Sequence, residues 1–446
     1  MQAHQVVRDF FPGSERALRI GKFSVEDVAE QFGTPVFIYD QSVLQRKWEL
    51  LRSTFPSRID IHYSVKANPN PNILAFFLEQ GAGLEIASAG ELHQALAAGC
   101  RPERMLFAGP GKSPAELGLA LSMNIGEIHA ESLTELRRIE SIAERLGQVA
   151  PVALRINPAS EAQGGAMRMG GKATPFGIDE ESLDSALDLV LASPCIELRG
   201  MHLFAGTQIL DSEVLLCQYK KAIQIARRIA ERQEQPLASV DFGGGLGVPY
   251  FTGDQPLDMV ALKHGLDRMM DEIADDPLFA GTRFIIEPGR FLVAEAGIYL
   301  TRVLDVKVSR GKTFVIVDGG MNHHLAASGN LGQTIKRNFP VTIANKLQEV
   351  ESDTVDIVGP LCTPLDVLAR SIAAPRVEVG DLVAVLQSGA YARSASPLGF
   401  LSHPSPAEVM VAENELRLIR RRGSPSDYAR DVETPSITAA KGVGRA

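Results

Sequence analysis

The sequence predicts an α/β protein, a (β/α)8 TIM barrel followed by a mostly β domain. Three observations predict it. Between Asp60 and Glu287, eight short apolar runs alternate with longer helical patterns over about 240 residues, a repeat that favours a closed parallel barrel over an open doubly wound sheet. The unusual polar and glycine residues fall where those runs end, and in such a barrel the strand C-termini face the active site. Beyond about Ala296, strand-like runs follow one another with few convincing helices.

Taken in order, a polar start leads into Ser24 to Gly33, a short helix with Ser24 as N-cap, acidic residues in its first turn and Gly33 as C-cap. The run Pro35 to Asp40 reads as a strand. The eight barrel strands are Asp60 to Lys66, Gly83 to Ser88, Arg104 to Gly109, Glu127 to Ala130, Val152 to Asn157, Gly200 to Gly206, Ser239 to Gly243 and Arg283 to Glu287. Helices such as Pro114 to Ser122, Ser132 to Leu146, Glu180 to Leu191, Glu213 to Glu231 and Leu257 to Ile273 separate them. In the β domain, Tyr299 to Val306, Thr313 to Val317, Thr354 to Val358 and Asp381 to Gln387 read as strands. The expected organisation is residues 1–35 as an N-terminal segment, 36–295 as barrel, 296–420 as β domain and 421–446 as a disordered tail rich in Ser, Pro, Gly and Ala.

Composition removes several function classes. At 446 residues, with 45% apolar and 22% charged content, the chain can bury a large core. A net charge of −9 and the lack of an Arg/Lys stripe argue against nucleic acid as a partner. No apolar run approaches about 18 residues and the first residues lack a basic, then apolar leader, so no membrane contact and a cytoplasmic location are expected. Cys100, Cys195, Cys217 and Cys362 form no CxxC pair, which fits neither a disulfide framework nor a zinc site. No metal is expected.

Three motifs carry chemistry. In Tyr63-Ser64-Val65-Lys66-Ala67-Asn68-Pro69-Asn70 a β-prone run ends on a lysine and breaks into turn residues. A lysine so placed can act as a neutral nucleophile and form a Schiff base with a carbonyl such as pyridoxal phosphate. Taken alone, an exposed strand-end lysine fits the stretch better. Asp241-Phe242-Gly243-Gly244-Gly245-Leu246-Gly247 lets backbone N–H groups approach a phosphate, although a tight turn explains it equally. The next strand ends in Glu287-Pro288-Gly289-Arg290, and a TIM-barrel phosphate site commonly lies after strands seven and eight. Glu287 would then face a pyridinium nitrogen while Gly289 and Arg290 reach a phosphate.

These stretches, with Glu85 to Leu92, Gly200 to Gln208, Gly359 to Asp366 and Ser388 to Tyr391, stand in an order and spacing that resembles the fold-type III pyridoxal-phosphate decarboxylases, the group of diaminopimelate, ornithine and biosynthetic arginine decarboxylases. The resemblance runs from about Ser24 to Arg420. It implies an alanine racemase-like architecture in which residues 1–35 join the β domain, a pyridoxal 5'-phosphate cofactor and a homodimer with shared active sites. It makes Lys66 the Schiff-base lysine and Glu287 the partner of the ring nitrogen. Phe204 takes the place of a ring-stacking histidine, and Thr207, Gly243, Gly244, Gly245, Gly289, Arg290 and Tyr391 fall at phosphate contacts. Cys362 becomes the thiol that crosses from the other subunit to protonate Cα. Without its motif, Cys362 reads as a small buried hydrophobe.

Departures from the family pattern bear on substrate. Diaminopimelate decarboxylases follow the cysteine with a glutamate that takes the distal amine, and Thr363 stands here. Their following arginine and tyrosine fall at Ala326 and Asn330. Burying diaminopimelate's distal charges without partners would cost several kcal/mol, so a different substrate is expected. Thr363 and Asp366 remain candidate substrate contacts. The neighbouring His323-His324 pair reads as solvated polar residues. The stretch Asn157 to Asp179 together with Phe204 to Gln208 resembles the branch of exosortase A-associated and butirosin-type decarboxylases, the latter acting on a glutamyl group tethered to an acyl carrier protein. That implies an amino acid or conjugate presented on a carrier protein, with Arg168 and Lys172 as candidate contacts to its acidic part, although a solvated loop accounts for both. Diaminopimelate decarboxylase and a racemase of the same fold are the alternatives.

Overall fold

The computed structural model describes residues 3–159, 167–168, 173–204, 206–413 and 415–433. All eight expected barrel strands form, at Ile59–Ser64, Gly83–Ile86, Met105–Phe107, Glu127–Ala130, Ala150–Asn157, Ile196–Leu203, Ser239–Asp241 and Arg283–Ile286. Every neighbouring pair is parallel, and the last strand pairs with the first through Ile285 and Asp60, which closes the barrel. Apart from Leu183–Ala192, the α-helices between the barrel strands start on side-chain caps. Ser113 and Glu116 make a reciprocal capping box before Pro114–Ser122, and Ser132 caps Leu133–Leu146.

The barrel interior carries a polar layer. Ser239 Oγ donates to Glu127 Oε2 at 2.6 Å, from the seventh strand to the fourth across the barrel. Glycines make room for it: a Cβ on Gly83 would lie 2.3 Å from the His62 ring, and one on Gly200 would lie 2.0 Å from Ser239 Oγ.

The second domain is a β structure organised on the long strand Gly297–Ser309, whose first half pairs with Val36–Asp40 on one edge and Leu382–Val385 on the other and whose second half pairs with Lys312–Val317. Val36–Asp40 therefore belongs to this sheet and not to the barrel, where the expected boundary at residue 36 had put it. Its five residues are all buried and it lies parallel to Ala407–Ala412, so it fills a central position that a fully buried strand satisfies in either domain.

Both chain ends are more structured than expected. The polar start carries a helix, Ala3–Phe10, that buries Val6 and Val7. The proposed disordered tail is ordered through residue 433: Pro425–Ala429 is a short helical turn capped by Ser424. Arg422 donates to the carbonyls of Phe32 and Pro35, and Tyr428 Oη lies 2.6 Å from Leu398 O and 2.9 Å from His403 O, within reach of one hydrogen bond to either. Residues 434–446 lie outside the described residues. Among the described residues no helix is long and apolar enough to cross a membrane.

Candidate active site

Lys66 sits on a helical turn, Val65–Ala67, directly after the first barrel strand. Val65 and Ala67 are buried on either side of it, so the turn is anchored and the lysine points out of the strand end. Asn70 then caps the next helix, with Pro71 in its first turn. The second domain locks this turn: Tyr391 N–H donates to Ala67 O at 2.8 Å, and Asn68 Nδ2 donates to Gly389 O at 3.1 Å. Gly389 has no alternative residue here, since a Cβ would meet Val293 O at 1.7 Å.

The Lys66 ammonium lies 3.0 and 2.9 Å from the two carboxylate oxygens of Glu85, and Ser64 Oγ donates to the same carboxylate at 2.5 Å. Burial lowers the lysine pKa, but Glu85, Tyr391 and Glu287 together outweigh it and hold the ammonium above its ordinary value.

Around Lys66 a cleft of about 340 Å³ is lined by Phe204, Thr207, Gly244, Gly245, Glu287, Gly289, Arg290 and Tyr391. Of the residues expected at a cofactor, Gly243 alone stays behind the wall: it has φ +68°, and a Cβ there would lie 2.8 Å from Leu203 O and 2.9 Å from the Phe204 ring. Gly244 has a similar constraint, with a Cβ 2.4 Å from Glu287 O. The glycines thus bring backbone to the cleft and pack the Phe204 loop against the Glu287 strand. Arg290 stacks on Tyr391 at 4.7 Å and Tyr250 at 5.7 Å, and its Nε is buried with no partner among the described residues. On the other side Arg155 pairs with Glu131 at 2.7 Å and lies between the rings of Phe176 and Phe204.

Glu287 is buried, and its Oε1 has no hydrogen-bond partner among the described residues. His202 Nε2 is 3.3 Å from its other oxygen. Burial pushes Glu287 up, but His202, His129 and Lys66 outweigh it, so the carboxylate is held ionised, below the usual range. Burial also pushes His202 down to about 4. A buried acceptor facing the cleft, an amine at the same cleft, an arginine with a free Nε and a glycine-built wall fit pyridoxal phosphate: Glu287 for the ring nitrogen, Lys66 for the aldehyde carbon, Arg290 and the glycines for the phosphate.

Other expected residues fall elsewhere. Cys362 is exposed and does not line this cleft. Thr363 Oγ1 accepts from Leu365 N–H at 3.3 Å. Asp366, a candidate substrate contact, is instead turned inward: its carboxylate accepts from the N–H groups of Met321 and Leu361 at 2.7 and 2.9 Å, fixing the Cys362 loop. The backbone of Arg168 pairs with Gly206 beside Thr207, and Lys172 lies outside the described residues. His323 and His324 are buried, not solvated; His324 Nε2 lies 2.9 Å from Ser388 Oγ, next to the turn that locks Lys66. Sequence reasoning gave no role to Glu85, Glu127, His129 or Asp241. Their signal was charge inside short apolar strands, as in Glu127-Ile128-His129-Ala130.

Residues 41–294 match the family model for the pyridoxal-binding domain of pyridoxal-dependent decarboxylases. The chain is 39% identical over 423 residues to the L-glutamyl-[BtrI acyl-carrier protein] decarboxylase of Niallia circulans, covering 94% of this chain and 98% of that protein. It is 34% identical over 434 residues to the diaminopimelate decarboxylase of Zymomonas mobilis, covering 94% and 98% respectively. Among solved structures, the diaminopimelate decarboxylase of M. jannaschii superposes with a TM-score of 0.87 at 27% identity, over 96% of this chain and 98% of that one.

Proposed function

The chain belongs to the pyridoxal-dependent decarboxylases, and from that premise we propose that it decarboxylates an aminoacyl group presented on a carrier protein, in sites shared between two copies of the chain. When bound, pyridoxal phosphate supplies the electron sink for the pair released as the bond between Cα and the carboxylate breaks. Lys66 supplies the amine that holds it. Glu287 would hold the ring nitrogen with its negative charge, and Phe204 would offer the ring an aromatic face that cannot titrate. Gly244, Gly245 and Arg290 take the phosphate. Cys362, exposed and away from its own cleft, reaches the partner's cleft and delivers a proton to Cα.

The observation that carries the substrate reading is that the side chains at the three distal positions are themselves uncharged, with the Lys336 ammonium spent on Asn330 Oδ1 at 2.6 Å. Ala326 is apolar, Thr363 is engaged with Leu365, and Asn330 Nδ2 donates to Ser328 Oγ at 2.7 Å and Leu365 O at 3.2 Å. None supplies a charged partner for the distal ammonium and carboxylate of diaminopimelate, which a buried site would need. The carrier-protein decarboxylase similarity supports the same direction. Four free cysteines fit the reducing cytoplasm as the compartment.

The test is CO2 release by the holoenzyme from glutamyl-carrier protein, other aminoacyl carriers, free glutamate and diaminopimelate. The expected result is a kcat/KM for one tethered substrate at least about a hundredfold above every free amino acid, the scale of two lost polar contacts. Equal turnover of free diaminopimelate would overturn it.

A further inference from the structure

Beneath the cleft, His129, His202, Asp241 and Glu287 bring one polar atom each within 4.8 Å of one another, all buried. Five polar atoms of this group have no hydrogen-bond partner among the described residues: Nδ1 of His129, both ring nitrogens of His202, Oδ2 of Asp241 and Oε1 of Glu287. Buried polar groups are seldom left so. Glu287 itself lines the cleft, and its Oε1 lies 3.9 Å from His129 Nδ1. The others need an internal explanation.

Asp241 is the sharpest case. It is fully buried, and its Oδ1 accepts from Gly243 N–H at 2.8 Å. The nearest basic nitrogen to its Oδ2 is His129 Nε2 at 4.0 Å, which already lies 3.2 Å from Glu127. An ionised Asp241 would have a naked oxygen beside a second buried carboxylate. Two carboxyl groups in one low-dielectric site do not both ionise. A divalent ion would neutralise the group too, but the rings of His129 and His202 stack at 4.5 Å with 29° between planes. Stacked rings present parallel edges and do not converge on one tetrahedral centre.

We propose that Asp241 and Glu287 share a single proton, resident on Asp241, so that Asp241 is a positioning residue that donates a hydrogen bond to Glu287 and keeps its charge aimed at the cleft. The inference rests on the reading that Glu287 serves the cofactor's ring nitrogen. Opposite displacements of the two acids agree with it: burial and then the Glu287 charge push Asp241 well above the ordinary carboxylate range, while Glu287 is held below it. The titratable groups facing the pair are Glu127, His129 and His202, with Lys66 across the cleft; Glu127 is held low by its own partners, His129 and Ser239, against the upward push of burial. The proton therefore has one resting place, and the anion faces the cofactor.

The experiment is infrared spectroscopy of the holoenzyme at neutral pH, read for the carbonyl stretch of a protonated carboxylic acid. Carbon-13 in the aspartate carboxyls should move that band in the unmodified protein, and Asp241→Asn should remove it. Because an amide both accepts from Gly243 and donates to Glu287, Asp241→Asn should hold pyridoxal phosphate within about threefold of the parent. A band untouched by label and variant, a loss of cofactor affinity beyond about tenfold in Asp241→Asn, or a stoichiometric divalent ion in the purified protein would each overturn the shared proton. Glu287→Gln separates the underlying assumption: unchanged cofactor affinity and CO2 release in that variant would remove Glu287 from the cofactor, while the Asp241 band of the unmodified protein still reports the shared proton.

Discussion

Both carboxylate oxygens of Glu85 lie against the Lys66 ammonium, at 3.0 and 2.9 Å. The pair holds the lysine protonated, above its ordinary value in spite of burial, whereas capture of pyridoxal phosphate requires the neutral amine. Incorporation of the cofactor into apoprotein should therefore accelerate as pH rises. Glu85→Gln removes the charge and keeps an acceptor for Ser64. Its reconstitution profile, followed by cofactor absorbance, should move to lower pH by roughly one to three units. An unmoved profile would show that the pair does not govern the amine.

The exposure of Cys362, away from the cleft that holds Lys66, predicts complementation between subunits. Lys66→Ala and Cys362→Ala should each be nearly inactive in normal decarboxylation. Dissociated, mixed and reassociated in equal amounts, they should recover about a quarter of parental activity, because half of the dimers are mixed and each has one intact site. No recovery, with mixed dimers shown to form, would place the thiol in its own subunit's site.

Much of this site was legible because barrel chemistry gathers at strand ends. Lys66, the glycines after Asp241 and Glu287 to Arg290 each terminate an apolar run, and the fold alone brings them to one face. The Glu85 role was not legible, since its partnership with Lys66 exists only through the pairing of adjacent strands. Asp366 and His324 misled for a related reason. A polar side chain in a loop motif reads as solvent- or substrate-facing, yet Asp366 is consumed by two backbone N–H groups and His324 by Ala327 and Ser388. Val36–Asp40 was assigned to the wrong sheet because five successive buried residues carry no record of which core buries them.

Lys47 and Glu295 form a buried ion pair at 2.5 Å between the helix Gln41–Thr54 and the turn that leads into the second domain. Lys47 also lies 3.7 Å from the Phe291 ring centre. Lys47→Met would leave Glu295 buried without its cation, at a cost of about 3–5 kcal/mol, read as a lowered urea midpoint. The double variant with Glu295→Leu should recover most of that loss, because the penalty is the stranded charge and not the missing attraction. A double variant as unstable as the single one would locate the effect in packing.

His324 supplies a pH test of the interdomain joint. Ala327 N–H donates to its Nδ1 at 3.3 Å, so Nε2 carries the ring hydrogen and donates to Ser388 Oγ at 2.9 Å, which in turn donates to Val385 O at 2.8 Å. A second proton on Nδ1 would face the Ala327 N–H, and burial pushes the ring down to about 3. Below the ordinary histidine value near 6.5 the unfolded chain takes up a proton that the folded chain refuses until about 3. The stability held by His324 is thus complete above that ordinary value and is lost as pH falls toward the folded one, at about 1.4 kcal/mol per pH unit. His324→Gln keeps a donor for Ser388 and cannot titrate. Parent and variant should therefore differ most above neutrality and converge by that slope under mildly acidic conditions, in urea unfolding followed at several pH values. A difference that stays constant with pH would show that the folded protein admits the proton, and that the Ser388 turn holding Lys66 in place does not depend on a neutral ring.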